Sequence, residues 1–133
     1  MNLYYLIAGI LSILLGAIHT IMGEKLIFQS KKEQGKLIPS REDGKWKESH
    51  VRIIWASWHM ATAFAWALAA IILFVAFNTE ELPDKWIAFL VLSTAISMLI
   101  GSALVLLGTK RKHPGWIVLL LIGLLLLIGT YLP

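Results

Sequence analysis

The chain has 133 residues, 58% of them hydrophobic, with a mean hydropathy of +0.75 and a formal net charge of +4. That is too apolar for a soluble domain of this length, and it is enough chain for one compact domain. Cysteine is absent, which excludes disulfides, thiolate metal sites, CxxC redox chemistry and cysteine nucleophiles.

A membrane-crossing helix needs roughly 20 mostly apolar residues, within a range of about 17–25. The first such run covers residues 3–23. It has no positive side chain before it, so it reads as a retained span rather than a cleaved signal. Residues 24–49 are a long polar loop carrying Lys25, Lys31, Lys32, Lys36, Arg41, Lys45 and Lys47. Its opening, GEKLIFQSKKEQGK, is expected to prolong the first helix as far as Gly35. Pro39 then breaks the chain, and Ser40 with Asp43 is a capping signal for a new helical start. The second span begins near His50 or Val51 and runs to Phe77 (51–77). NTEELPDK, residues 78–85, is short and mostly acidic. The third span covers 86–108, TKRKHPG follows, and the fourth span, 116–132, is near the lower length limit. Hydrocarbon offers no water to satisfy backbone groups, and no period of two appears, so all four should be helices. Trp46, Trp86 and Trp116 sit where headgroup-level anchors are expected.

Loops one and three must share a side of the membrane. Together with Arg52 they hold eleven of the twelve basic residues, which places them in the cytoplasm and both termini outside. The expected fold is an all-α, polytopic, up-down-up-down bundle of four transmembrane helices in one domain, 1–133. Small residues let membrane helices approach closely. The first span offers Gly9, Ser12, Gly16, His19 and Gly23 on one face. The second offers Ala56, Ala63, Ala67 and Ala70, the third Ser93, Ser97 and Gly101, and the fourth Gly123, Gly129 and Thr130. A stripe left over from the bundle could serve a homo-oligomer.

Four histidines, His19, His50, His59 and His113, fall in the cytoplasmic half under this topology. His59 is about 13.5 Å deeper than His50, and His19 is about 7.5 Å deeper than Glu24, at the α-helical rise. His19 and His59 can therefore meet at similar depth. His59 shares a face with Arg52, Trp55 and Trp66, whereas His50 is rotated about 180° from it. Ionisable groups inside a membrane are costly and mark functional candidates. Three sites are conceivable: haem iron held axially by His19 and His59, a metal held by His19, His59, Glu24 and His50, or a quinone held by His59 with tryptophan. For a cofactor, His19, His59, Trp55 and Arg52 form the expected site. Glu24 is also expected to pair with Arg52 at the rim. The plain alternative is that the histidines only join helices by hydrogen bonding. His113 reads as a loop residue. GxSxG, Walker, HExxH and CxxC motifs are missing, as is any aromatic-basic pattern suited to nucleic acid.

GILSILLGAIHTIMGEKLIF and HVRIIWASWHMATAFAWALAA resemble small uncharacterised four-helix bacterial inner-membrane proteins, and the whole chain is loosely similar to DoxX-like proteins in size and span count. The resemblance implies a bacterial cytoplasmic membrane and a four-helix bundle, and carries no site residues. The functional expectation is a small inner-membrane protein in the lipid bilayer, with a histidine site near the cytoplasmic side binding a metal or redox cofactor. Its rivals are a non-catalytic accessory protein and a small oligomeric transporter or channel.

Overall fold

A computed structural model describes residues 1–40 and 46–132. Asp43 of the expected capping signal, with Arg41 and Lys45, lies outside the described residues. The described chain is all-helical: α1 (Leu3–Met22), continued by a π-helical turn (Gly23–Phe28) and a 3-10 turn (Gln29–Lys31), then α2 (Glu48–Phe77), α3 (Asp84–Gly108) and α4 (Gly115–Tyr131). Leu3–Lys31, Glu48–Phe77 and Asp84–Gly108 are long and apolar enough to cross a membrane, while α4, at 17 residues, is apolar but shorter. α2, with 30 residues, extends about 45 Å at the α-helical rise and outruns a hydrocarbon core of about 30 Å.

The first helix stops at Lys31, short of Gly35. Lys32 is extended (φ −91°, ψ 138°), and its ammonium turns back to Glu24. The chain then turns at Gly35 (φ 82°), and the Ser40 N–H returns to the Lys31 carbonyl at 3.0 Å. Lys36 bonds Glu33 three residues earlier, which holds the Glu33 carboxyl below and the Lys36 ammonium above their ordinary ranges. Both are well exposed, so water screens the pair. Loop three turns on Lys110 (φ 50°) and Arg111 (φ 67°), with the Arg111 N–H on the Leu106 carbonyl closing the end of α3.

The chain clusters into two compact units, Met1–Leu15 with Trp66–Pro133, and Gly16–Ala65. In the first unit, segments of all four helices surround one core. Tyr5 and Ala8 of α1 meet Ile72, Val75 and Ala76 of α2, Val91, Ala95 and Met98 of α3, and Ile122 and Leu126 of α4. Asn2 fastens one end. Its Oδ1 accepts the N–H groups of Tyr4 and Tyr5 at 3.0 and 3.2 Å, capping α1. Its Nδ2 donates to the Gly129 carbonyl at 2.9 Å, and its own N–H donates to Ala76. Ser102 of α3 donates to the Trp116 carbonyl of α4 at 2.8 Å.

The inward faces match expectation on α1 and α4 and differ on α2 and α3. Gly9, Ser12, Gly16 and Gly23 are buried and His19 is half-buried, as are Gly123, Gly129 and Thr130 to similar degrees on α4. The outward face of α1 is aliphatic, with Ile7, Ile10, Leu14, Ile18 and Ile21 exposed, as lipid-facing positions would be. On α2, however, Ala56, Ala63, Ala67 and Ala70 are all exposed. The inward seam is Val51, Trp55, Trp58, Thr62, Ala65, Ala69, Ile72 and Ala76, at spacings of four and three. The helix turns this way because burying indole and branched aliphatic surface gains more contact than burying alanine methyls. On α3, Ser93 and Ser97 face outward, and Val91, Thr94, Ala95, Met98 and Ser102 are buried. Ser97 donates to the Ser93 carbonyl of its own helix at 2.9 Å, so its hydroxyl needs no neighbour.

Candidate functional site

The second unit, Gly16–Ala65, contains three of the four histidines. There the end of the first helix runs against the start of α2, and each contact follows from the four-three seam. Thr20 and Thr62 join their hydroxyls at 2.9 Å. One turn on, the Trp58 indole lies flat on the His19 ring, with centroids 4.1 Å apart and planes 5° apart. The Trp58 N–H donates to the His19 carbonyl at 2.9 Å. In an α-helix that carbonyl accepts from residue 23. The indole thus enters the ladder where the α-helix gives way to the π-helical turn, a recognised cause of such a change. Glycine is required at position 23 for the same reason: a Cβ there would lie 2.1 Å from the Trp58 indole nitrogen.

The π-helical turn presents Glu24 to α2. Its Oε1 accepts the Trp55 indole N–H at 2.6 Å and lies 2.8 Å from His59 Nε2. A neutral imidazole with its proton on Nε2 donates here. Oε2 takes the Lys32 ammonium. The Glu24 and His59 side chains are each 27% exposed, and Lys32 is 19% exposed. Trp55 meets His59 edge-on, with centroids 4.7 Å apart. Buried Phe28 closes the far side, 5.9 Å from Trp58 and 6.4 Å from His59. The result is one carboxylate held by an indole, an imidazole and an ammonium.

The expected site residues divide. Glu24, His59 and Trp55 come together, with His19 attached through Trp58. Arg52 does not join them: it bonds Glu48, one turn earlier on α2, at 2.9 Å. The expected Glu24–Arg52 pair is replaced by Glu24–Lys32, because the helix ends at Lys31 and lets Lys32 fold back, while Glu48 holds the guanidinium locally. His50 is exposed and meets Trp46 edge-on at 6.3 Å. Trp66 belongs to the first unit, where its indole N–H donates to the Ile13 carbonyl at 3.2 Å. His113 caps α4, its Nδ1 accepting the Gly115 N–H at 3.0 Å. Lys32 and Phe28 went unanticipated. Phe28 stands one helical turn beyond Glu24, a spacing the expected continuation of the first helix contains, whereas Lys32 reaches Glu24 only because the chain leaves the helix and folds back.

For coordination the arrangement is sparse. Among the described residues no group of three or more His, Asp or Glu side chains could hold a metal ion. Of His19, His59, Glu24 and His50, Glu24 and His59 are joined directly. Oε1 of Glu24 already receives two donors, its full lone-pair capacity. His19 stacks on Trp58 rather than facing His59 across a space for haem. The two cavities described in this unit touch Phe28 and Arg52, respectively, and neither is lined by His19, Glu24, His50 or His59.

No family model matches the chain, and no curated protein or solved structure matches it either.

Proposed function

We propose that the chain is a multi-pass protein of the bacterial cytoplasmic membrane, with its basic loops in the cytoplasm and both ends outside, acting as a non-catalytic accessory protein. Its His59–Glu24–Lys32–Trp55 cluster is a polar clamp that holds the cytoplasmic ends of the first two helices together. The observation that carries this reading is the engagement of both Glu24 oxygens: two donors on Oε1 and an ammonium on Oε2, all from the same chain. Intramembrane polar groups joined in this way act as ties between helices. A metal on Glu24 and His59 would have to displace Trp55 or break the His59 contact, and it would find two ligands where structural and catalytic sites use at least three.

The test compares the wild-type protein, prepared without a histidine tag in mild detergent, with Glu24→Gln and His59→Ala. Metal content per chain and unfolding stability are measured together. The clamp predicts metal-free protein in all three and a loss of about 1–3 kcal/mol in each variant, from the weaker, uncharged acceptor in Glu24→Gln and from the missing donor to the carboxylate in His59→Ala. Stoichiometric metal that disappears in His59→Ala would reverse the assignment in favour of a metal or redox site.

A further inference from the structure

The end of α3 is closed by an unusual choice of residues. The Arg111 N–H bonds the Leu106 carbonyl at 2.9 Å, and the Lys110 N–H bonds the Leu107 carbonyl at 3.2 Å. This pair of bonds is the Schellman closure, whose left-handed residue is usually glycine because a Cβ is crowded there. Here that residue is Lys110 (φ 50°), and Arg111 (φ 67°) is left-handed as well. Neither side chain eases the conformation by bonding its own backbone, as asparagine would. Two consecutive residues are thus held in a disfavoured conformation, and both are cations. Strain of this kind gathers at functional sites.

The same two side chains line one cavity. It measures about 340 Å³, and its walls are Leu106, Leu107, Lys110 and Arg111, all of the first unit. One half is the apolar last turn of α3, with Leu107 75% exposed, and the other half is an ammonium and a guanidinium. Among the described residues neither cation is paired with a carboxylate. Their own unit has none to offer nearby. Residues 85–133 contain no Asp or Glu, and the acidic side chains of the unit, Glu80, Glu81 and Asp84, stand in loop two or at the start of α3. The 25 residues of α3 put about 37 Å between the two loops, several Debye lengths at physiological salt.

We infer that this cavity holds the headgroup of one anionic phospholipid, with its phosphate between Lys110 and Arg111 and the start of an acyl chain against Leu106 and Leu107. Charge complementarity selects the occupant. Two uncompensated cations call for an anion, and the guanidinium matches phosphate oxygens with two parallel N–H groups. The leucines on the same wall select a phosphate that is joined to hydrocarbon. The position agrees, because the cavity lies where a helix long and apolar enough to cross a membrane ends in a basic loop. Glycine at position 110 would make an easier turn, and lysine there exchanges stability for a charge on the cavity wall. The inference goes beyond the clamp of the first two helices and rests only on the proposed membrane placement.

The delipidated full chain in mild detergent is titrated with phosphatidylglycerol or with phosphatidylcholine of the same acyl chains, and native mass spectrometry reads the affinity of the first lipid bound. The site predicts a clear preference for phosphatidylglycerol. Each basic side chain contributes roughly fivefold, so Lys110→Gly and Arg111→Gln each lower the preference by about that factor and the double variant abolishes it. Lys110→Gly also unfolds at a higher temperature than wild type, because glycine relieves the left-handed turn. Lys112→Gln takes a charge from the same loop but none from the cavity wall, and it keeps the wild-type preference. An equal drop in Lys112→Gln and Lys110→Gly would overturn the site in favour of a diffuse basic surface. An unchanged preference in the double variant would overturn it by placing the lipid elsewhere. Equal affinity for the two lipids would overturn the site while leaving the membrane placement intact, and binding of neither would overturn both. Displacement of the lipid by inorganic phosphate would overturn the lipid assignment in favour of a free-anion site.

Discussion

Gly23 shows how one missing methyl group organises the polar cluster. The space it leaves is filled by the Trp58 indole, which stacks on His19 and takes its carbonyl. With that carbonyl engaged, the helix widens, and Glu24 is delivered to Trp55 and His59. Gly23→Ala should therefore act well beyond its size. The added Cβ must move a packed indole, at a cost of about 1–3 kcal/mol as for other overpacked cores. The displaced Trp58 should also change its fluorescence emission, so unfolding and emission spectra read the same event. A variant as stable as wild type with an unchanged spectrum would show that the indole yields freely.

At the scale of helices, the ends carry more instruction than the middles. Asn2 caps α1 and also reaches Gly129 of α4 through its side chain and Ala76 of α2 through its backbone N–H, so three helix ends of the first unit meet on one residue. His113 performs the capping role before α4, and Lys32 ends the first helix by turning back. Asn2→Ala removes both the cap and the amide bond to Gly129. Loss of a cap alone costs about 1 kcal/mol, and the abandoned carbonyl adds about as much again. Thermal unfolding in detergent should show the deficit, and Asn2→Asp, which keeps the cap but cannot donate to Gly129, should recover about half of it.

For the molecule as a whole, outward aliphatic faces and basic loops are what the proposed placement in a bilayer rests on. The chain has no cysteine, so single cysteines report sidedness without background. Lys36→Cys in loop one and Thr79→Cys in loop two occupy opposite sides in the proposed topology. In intact cells a membrane-impermeant maleimide should label Thr79→Cys alone, and lysis should expose Lys36→Cys. The reverse pattern would invert the orientation and move the Glu24–His59 cluster to the outer half.

The number, length and order of the helices were legible in the residues, because burial in hydrocarbon demands long apolar runs and those runs are plain. The inward stripe of α1 was legible too, since Gly9, Ser12, Gly16, His19 and Gly23 are the small or polar positions among aliphatics. The face of α2 was not. Its alanines and its tryptophans form competing stripes, and which turns inward depends on what the neighbouring helix offers: here the Gly23 notch, the His19 ring and the Glu24 carboxylate. The same holds for the partners of Glu24. Arg52 and Lys32 are both within reach in sequence terms, and the choice was made by where the first helix ends and by Glu48 holding Arg52 on its own turn. Hydropathy is a property that a residue carries by itself, whereas the selection of one hydrogen-bond partner among several exists only once two elements are packed.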